Sequence, residues 1–164
     1  MNVSIVYDST YRNTESLARA MGEAIGPTAR VMPVAQTDPA ALNHLDLLIV
    51  GSPTQGGKPT APLMQLLGDV PPNGLRGTRV AAFDTRFAAS EQGFGLRLLI
   101  KVIGSAAPRI ARALEAKGGG LAAPPEGFIV DGKEGPLRDG ELDRASEWAL
   151  RLWSAVDANV ERVL

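Results

Sequence analysis

Between a short β-branched run and a helical pattern the chain places Asp8-Ser9-Thr10-Tyr11-Arg12-Asn13-Thr14, rich in hydroxyl and amide side chains. The first N–H groups of a helix lack acceptors and carry the positive end of its dipole, so a phosphate seated there gains hydrogen bonds and field together. Ser9, Thr10 and Thr14 would complete such a cradle with hydroxyls. An isolated Ser/Thr cluster serves equally well as an ordinary helix cap, with Asn13 or Thr14 as the capping residue. A second loop reads Gly51-Ser52-Pro53-Thr54-Gln55-Gly56-Gly57-Lys58-Pro59. Gly51 and Gly56 have the spacing of the phosphate loop G-x-x-x-x-G-K-[ST], but Gly57 occupies the lysine position, so that chemistry is excluded. Gly118-Gly119-Gly120-Leu121-Ala122-Ala123 matches a dinucleotide fingerprint by letters, yet it follows a helix and leads into a strand, the reverse of what the fingerprint needs. Asp84-Thr85-Arg86-Phe87 closes a strand and forms the start of a third loop. His44 is the only histidine; it stands in a polar turn ahead of a strand, where a surface or helix-end role is expected and no Ser-His-acid triad is organised around it.

These loops need elements to hold them. Asn2 to Tyr7 is a β-branched strand ended by Asp8, and from Thr14 the positions Leu17, Ala18, Met21, Ala24 and Ile25 fall at helical spacing up to Gly26-Pro27. Further strands are expected at Ala29 to Val34, Leu45 to Val50 ending at Gly51, and Thr78 to Phe83, with a short helical stretch around Leu63 to Leu67. A long connection leads to Ser105, a candidate N-cap for the stripe Ala107, Ile110, Ala111 and Leu114. A fifth strand uses Leu121 to Ala123 and resumes near Gly127 to Val130 after Pro124-Pro125. Glu126 to Asp143 reads as a solvated acidic loop and helix start, and from Glu141 the final amphipathic helix carries Trp148 and Trp153, expected to pack on the sheet. Strands that are nearly continuous in apolar residues and alternate with helices imply an α/β fold with a parallel sheet covered on both faces. In such open sheets ligands sit beyond the carboxyl ends of the strands, which is where the three loops fall.

The chain has 164 residues, the length of one domain, so residues 1–164 are read as a single folding unit. Seventeen Lys plus Arg against 18 Asp plus Glu give a formal charge of −1, and 45% of residues are hydrophobic, which excludes the compositions of disordered chains and makes nucleic-acid binding unexpected. The absence of cysteine removes thiolate catalysis, disulfides and Cys-ligated metal centres. No leader and no membrane-spanning run is recognised, so a cytoplasmic protein is expected, with no membrane partner.

Taken together the three loops resemble those of the flavodoxins. Ser9-Thr10-Tyr11-Arg12-Asn13-Thr14 resembles their phosphate loop, [ST]-x-T-G-x-T, at the end of the first strand; the loop from Gly51 to Pro59 resembles the one that flanks one face of their isoalloxazine ring; Asp84-Thr85-Arg86-Phe87 resembles the one that flanks the other. The likeness covers essentially the whole chain. It implies a three-layer, doubly wound, five-stranded parallel sheet in strand order 2-1-3-4-5, and FMN as cofactor. It further implies that Ser9, Thr10, Asn13 and Thr14 hold the FMN phosphate, with Tyr11 and Arg12 supplying mainly backbone N–H groups. Pro53, Thr54, Gln55, Gly56 and Gly57 would border the ring, and Asp84, Thr85, Arg86 and Phe87 would close the opposite side. In flavodoxins a glycine-containing peptide of the second loop turns its carbonyl towards N5 of the reduced ring, and Gly56-Gly57 is its counterpart here or, alternatively, an ordinary flexible turn.

The departures are specific. Gln55 stands where many flavodoxins carry a bulky aromatic residue, which would leave one face of the ring open, and Arg12 stands where a glycine is common. Flavodoxins are usually strongly acidic, whereas this charge is −1. The expected function is an electron carrier that works with partner redox proteins. The rivals are an FMN-dependent NAD(P)H or quinone reductase of the same fold and a flavodoxin-shaped binding domain without FMN. A receiver-like signalling domain would need an aspartate at the end of the third strand, where Gly51 stands.

Overall fold

The computed structural model describes residues 1–88, 93, 95 and 104–161; the long connection before Ser105 and the loop that continues Asp84-Phe87 as far as Gly95 lie almost wholly outside the described residues. The β-branched run at the start of the chain forms β1 (Val3–Tyr7), buried along its whole length. It is flanked by β2 (Ala29–Pro33) and β3 (Leu47–Pro53), and β4 (Arg79–Arg86) follows β3. β5 (Gly120–Leu121) and β6 (Glu126–Ile129) both pair with β4, giving the order β2-β1-β3-β4-β5 with every strand pairing parallel. The fifth strand is thus two short pieces, Gly120–Leu121 beside the start of β4 and Glu126–Ile129 beside its end. Pro124-Pro125 lies between them because proline offers the ladder no N–H.

Helices α1 (Asn13–Ile25) and α4 (Glu141–Glu161) cover one face, and α2 (Ala61–Asp69) and α3 (Ala106–Ala116) the other. The period of two in a strand sorts the core. Val3, Ile5 and Tyr7 point towards Leu17, Met21 and Trp148, while Val6, Leu48 and Val50 point towards Leu63, Leu67 and Ile110. Phe83, Phe128 and Trp148 meet edge to face with centroids 6.0, 6.3 and 6.1 Å apart, each such pair adding about 1 kcal/mol beyond its buried area. Trp148 is buried and Trp153 packs partly buried against the same cluster, as the helical pattern predicts. Among the described residues no helix is long and apolar enough to cross a membrane.

Several boundaries differ from the sequence reading, each for a tertiary reason. β3 does not stop at Gly51, nor β4 at Phe83: the two continue in register through Gly51↔Phe83, Ser52↔Asp84 and Pro53↔Thr85. The Phe83 ring occupies the space beside Gly51, where an added Cβ would lie 2.1 Å from Cζ, so a glycine that looks like a strand end is a close approach within the sheet. The second piece of the fifth strand, expected near Gly127 to Val130, runs from Glu126 to Ile129, so Glu126 is strand rather than solvated loop; it pairs with Arg144 from α4 at 3.1 Å, and Phe128 is buried. α1 begins one residue earlier than expected, at Asn13, and α2 begins at Ala61 with proline in its first turn. Ser105 does sit at the N-cap of α3, but its side chain makes no capping hydrogen bond.

Two charged contacts tie helices to their neighbours, one to another helix and one to the sheet. Lys117 Nζ donates to the carbonyls of Gly68 and Val70 at 2.8 and 2.6 Å, placing a cation at the carboxyl end of α2. Arg144 lies 4.4 Å over the Phe128 ring and pairs with Glu141 at 2.7 Å, while Glu141 also accepts from the Ile129 N–H at 2.6 Å. The hydrogen bonds from Arg144 outweigh the desolvation of burial and, with the Ile129 N–H, hold the Glu141 carboxyl below its ordinary 4.5.

Two predictions follow from these contacts. A carboxyl whose pKa is depressed on folding contributes stability that is complete above its unfolded value and is lost as pH falls through the folded one. Denaturant unfolding should therefore show Glu141→Gln less stable than the parent at pH 7, with the difference shrinking below the ordinary value of 4.5; a gap that persists at pH 3 would show that the carboxylate charge is not its source. Arg12, the residue before α1, has φ 66° and ψ 1°, no side-chain capping bond, and an 84% exposed side chain that reaches Glu15 only at 3.6 Å. This left-handed conformation costs an L-residue about 1 kcal/mol and a β-branched one more. In thermal melts Arg12→Gly should match or exceed the parent whereas Arg12→Val falls below it; equal losses in both would assign the effect to the guanidinium instead.

Candidate functional site

The parallel sheet brings the carboxyl ends of β1, β3 and β4 to one edge, and the loops that leave them meet there. In the first, the backbone N–H of Ser9 is satisfied by Asp8 Oδ1 at 2.9 Å, and the Ser9 hydroxyl accepts the Glu15 N–H at 3.3 Å. Neither candidate cap is used as one. Asn13 instead donates from Nδ2 to the Glu134 carbonyl at 3.1 Å, and Thr14, buried, lies with its hydroxyl 3.4 Å from that of Thr85. The backbone N–H groups of Thr10, Tyr11, Arg12, Asn13 and Thr14 consequently have no acceptor among the described residues. Five successive donors at the start of α1, with the hydroxyls of Ser9, Thr10 and Thr14 beside them, form the donor set that a phosphate dianion requires. The left-handed Arg12 helps curl the loop into this form, which explains why a glycine suits that position in the resembled motif.

The second loop is a tight hairpin. Gln55 and Lys58 exchange both backbone hydrogen bonds, at 2.9 and 3.0 Å, around Gly56 and Gly57, whose φ angles are 56° and 76°. Two central residues at positive φ form a type I′ turn, which only glycine, asparagine and aspartate accept readily. Gln55 then turns its side chain away from the hairpin and donates from Nε2 to Thr10 Oγ1 at 3.0 Å, joining the second loop to the first. The base of the hairpin is fixed by Ser52, buried, whose hydroxyl accepts the Thr60 N–H at 3.0 Å. Pro53 ends β3, and the Thr54 N–H continues the ladder to the Thr85 carbonyl at 3.0 Å.

Asp84, Thr85 and Arg86 lie on β4 rather than in a loop. Asp84 is fully buried, and its carboxylate accepts from Arg86 Nε and Nη2 at 2.6 and 2.9 Å and from the Ala107 N–H at 2.7 Å. Thr54 Oγ1 accepts the neighbouring Ala106 N–H at 3.0 Å, so α3 is capped by residues 52 and 23 positions earlier in the chain. Asp84 thus holds α3 and Arg86 in place, a role its position at a strand end did not suggest. The Arg86 guanidinium lies across Gly127 of β6, where a Cβ would come within 2.3 Å of Arg86 Cζ. A carboxylate this deeply buried requires both its ion pair and its hydrogen bond, since removing either leaves an uncompensated charge. Beyond β4, Phe87 is 40% exposed, as is Tyr11 across the edge, so two large apolar side chains flank the loops at the surface.

The sequence reading missed the Gln55–Thr10 bond, the capping of α3 by Thr54 and Asp84, and the docking of Glu134 on Asn13. No local pattern signals them, because each joins residues far apart in the chain. One sequence signal did exist: Gly135 has φ 105° and no room for a Cβ, which would lie 2.7 Å from Asn13 Oδ1, and a Gly-Pro pair in an otherwise polar loop marks such a close turn.

The family model for flavodoxin matches residues 5–95, more than half of the 164-residue chain. No curated protein matches the chain. Among solved structures, a flavodoxin from the domain Archaea superposes with a TM-score of 0.74 at 20% identity, covering 96% of this chain and 99% of that one. Oxidised flavodoxin 1 from Bacillus cereus gives 0.73 at 15% identity, over 94% and 98% of the two chains. Rubredoxin oxygen:oxidoreductase from Desulfovibrio gigas gives 0.72 at 21% identity, with 97% of this chain matching 37% of that one. At these identities the structural likeness speaks for the fold, and the family match for descent: the chain belongs to the flavodoxin family, whose cofactor is FMN.

Proposed function

We propose that this protein is a cytoplasmic electron carrier that binds FMN noncovalently and exchanges electrons with partner redox proteins. The observation that carries the reading is the run of five unpaired N–H groups from Thr10 to Thr14, joined through Gln55 to a glycine hairpin at the same sheet edge. Bound FMN supplies the electron-transfer chemistry, and the chain's part is to hold it and to bias its redox states. The donors of residues 10–14 and the hydroxyls of Ser9, Thr10 and Thr14 hold the phosphate. Thr54 to Gly57 on one side and Thr85 to Phe87 on the other border the ring, with Asp84 acting from beneath by fixing α3 and Arg86. No side-chain acid or base is needed.

The hairpin offers a way to favour the reduced ring. Rotating the peptide between Gly56 and Gly57 by half a turn converts type I′ into type II′, which keeps Gly56 at positive φ and takes Gly57 to negative φ. In the rotated form the Gly56 carbonyl is turned to the other side of the hairpin, where it could accept a hydrogen bond from the N–H at N5 of the reduced ring. Gln55 supports a second reading, a reductase that takes hydride from NAD(P)H: its side chain is drawn towards Thr10, and the hairpin from Thr54 to Lys58 carries no aromatic residue.

Titration of FMN into the purified protein should quench flavin fluorescence with saturation and perturb the visible flavin bands. Absence of binding at micromolar FMN would leave a flavodoxin-shaped domain used otherwise, and rapid bleaching of the bound flavin by NAD(P)H would move the assignment to the reductase. A pair of variants tests the hairpin. Gly57→Ala penalises the observed turn by about 1 kcal/mol but not the rotated one, so it should raise the first one-electron potential by ~40 mV. Gly56→Ala burdens the rotated form more than the observed one, because positive φ outside the left-handed helical region is essentially closed to L-residues, and should lower that potential; shifts of the same sign in the two variants would dismiss the rotation.

A further inference from the structure

At the opposite edge of the sheet, where the parallel strands begin, the structure holds a cavity of about 280 Å³ between the starts of β1 and β2 and the turn before β3. Its wall carries Arg30, His44, Asn43, Ser4, Asn2 and Thr28, with Met32 and Leu45 as an apolar side. We propose that this cavity binds a small organic anion bearing a hydroxyl group, independently of the flavin site.

The chemistry of the wall sets that class. Arg30 is exposed and has no ion-pair partner among the described residues, so a cation faces the cavity uncompensated. Asp46, in the turn before β3, accepts the Asn2 N–H at 2.6 Å. Ser4 is buried and lines the cavity, and its hydroxyl has no partner among the described residues. An arginine with hydroxyl and amide donors around it recognises phosphate or carboxylate. Asn43 adds the complementary demand: its Oδ1 is buried with no hydrogen-bond partner, and a buried acceptor left unpaired costs ~1–3 kcal/mol. A ligand hydroxyl donating to Asn43 removes that penalty, which an anion without an O–H, such as chloride or sulfate, cannot do. His44 completes the site. It is a non-glycine residue at φ 59°, and such strained conformations persist where surrounding structure enforces them, commonly beside ligands. The volume sits at the lower end for ligand sites, ~300 Å³, and suits a three- or four-carbon molecule rather than a nucleotide.

Because His44 is the only histidine, its ring resonances report on the site without ambiguity. The full-length protein, ¹⁵N-labelled and saturated with FMN, is titrated with glycerol 3-phosphate, with malate, and with sodium chloride at matched ionic strength. Saturable shifts at the His44 ring and at the amides of Ser4, Arg30 and Asn43 with either organic anion are expected, the tighter of the two identifying phosphate or carboxylate as the group recognised. Arg30→Gln should weaken that binding about tenfold while leaving thermal stability unchanged, and His44→Gln serves as a second variant. Linear shifts like those of chloride, shifts confined to residues 10–14, or undiminished affinity in both variants would overturn the proposal. Failure of FMN to bind is read separately from the flavin fluorescence, and the anion titration then proceeds on the protein alone.

Discussion

The carboxyl edge of the sheet depends on one packing contact, the Phe83 ring laid over Gly51. With no side chain at Gly51, β3 and β4 stay in register for two further pairs, Ser52↔Asp84 and Pro53↔Thr85. That continuation delivers Thr54 and Asp84 to the start of α3, Thr85 to Thr14, and Ser52 to the base of the glycine hairpin. The same ring belongs to the aromatic trio with Phe128 and Trp148, so the edge is anchored in the core beneath α1 and α4. Packing deep in the domain and loop geometry at its surface are here one construction.

Polar groups at this edge divide into those used to build it and those left open. Asp84, Thr54, Ser52, Gln55 and Asn13 are committed to helix ends, loop bases and loop-to-loop bonds. The N–H groups of residues 10–14 are committed to nothing among the described residues. Folding has therefore satisfied the framework around the cradle while leaving the cradle itself unsatisfied, a distribution that fits an anion arriving from outside. The buried Asp84–Arg86 pair adds rigidity at a strand end where α3 must begin, and its neutrality keeps the local field near the loops small.

Much of this was legible in the residues. β1 and α1 follow from a β-branched run and a 3.6-residue stripe closed by Gly26-Pro27, and the split fifth strand follows from Pro124-Pro125. The three loops were recognisable because strand ends, hydroxyl clusters and paired glycines are local features. What was not legible depends on partners distant in sequence. Asp84-Thr85-Arg86 and Ser52-Pro53 have the composition of a loop and become strand only because each pairs with the other. Glu126 reads as a solvated acid until Arg144 arrives from α4. Arg12 violates the glycine pattern by type yet adopts the glycine conformation, a substitution that letters alone cannot resolve.

The broken fifth strand has a consequence for how this molecule meets its neighbours. A parallel sheet with free edges invites further strands, and a continuous edge would let copies of the chain stack side by side. On one side the edge is two short ladders, Gly120–Leu121 and Glu126–Ile129, separated by four residues of which two, Pro124 and Pro125, cannot donate. On the other, β2 ends in Pro33 and displays the charged Arg30. Neither border offers an uninterrupted row of donors and acceptors, so the sheet resists growth into fibrils from both sides while its open chemistry is concentrated at the strand ends.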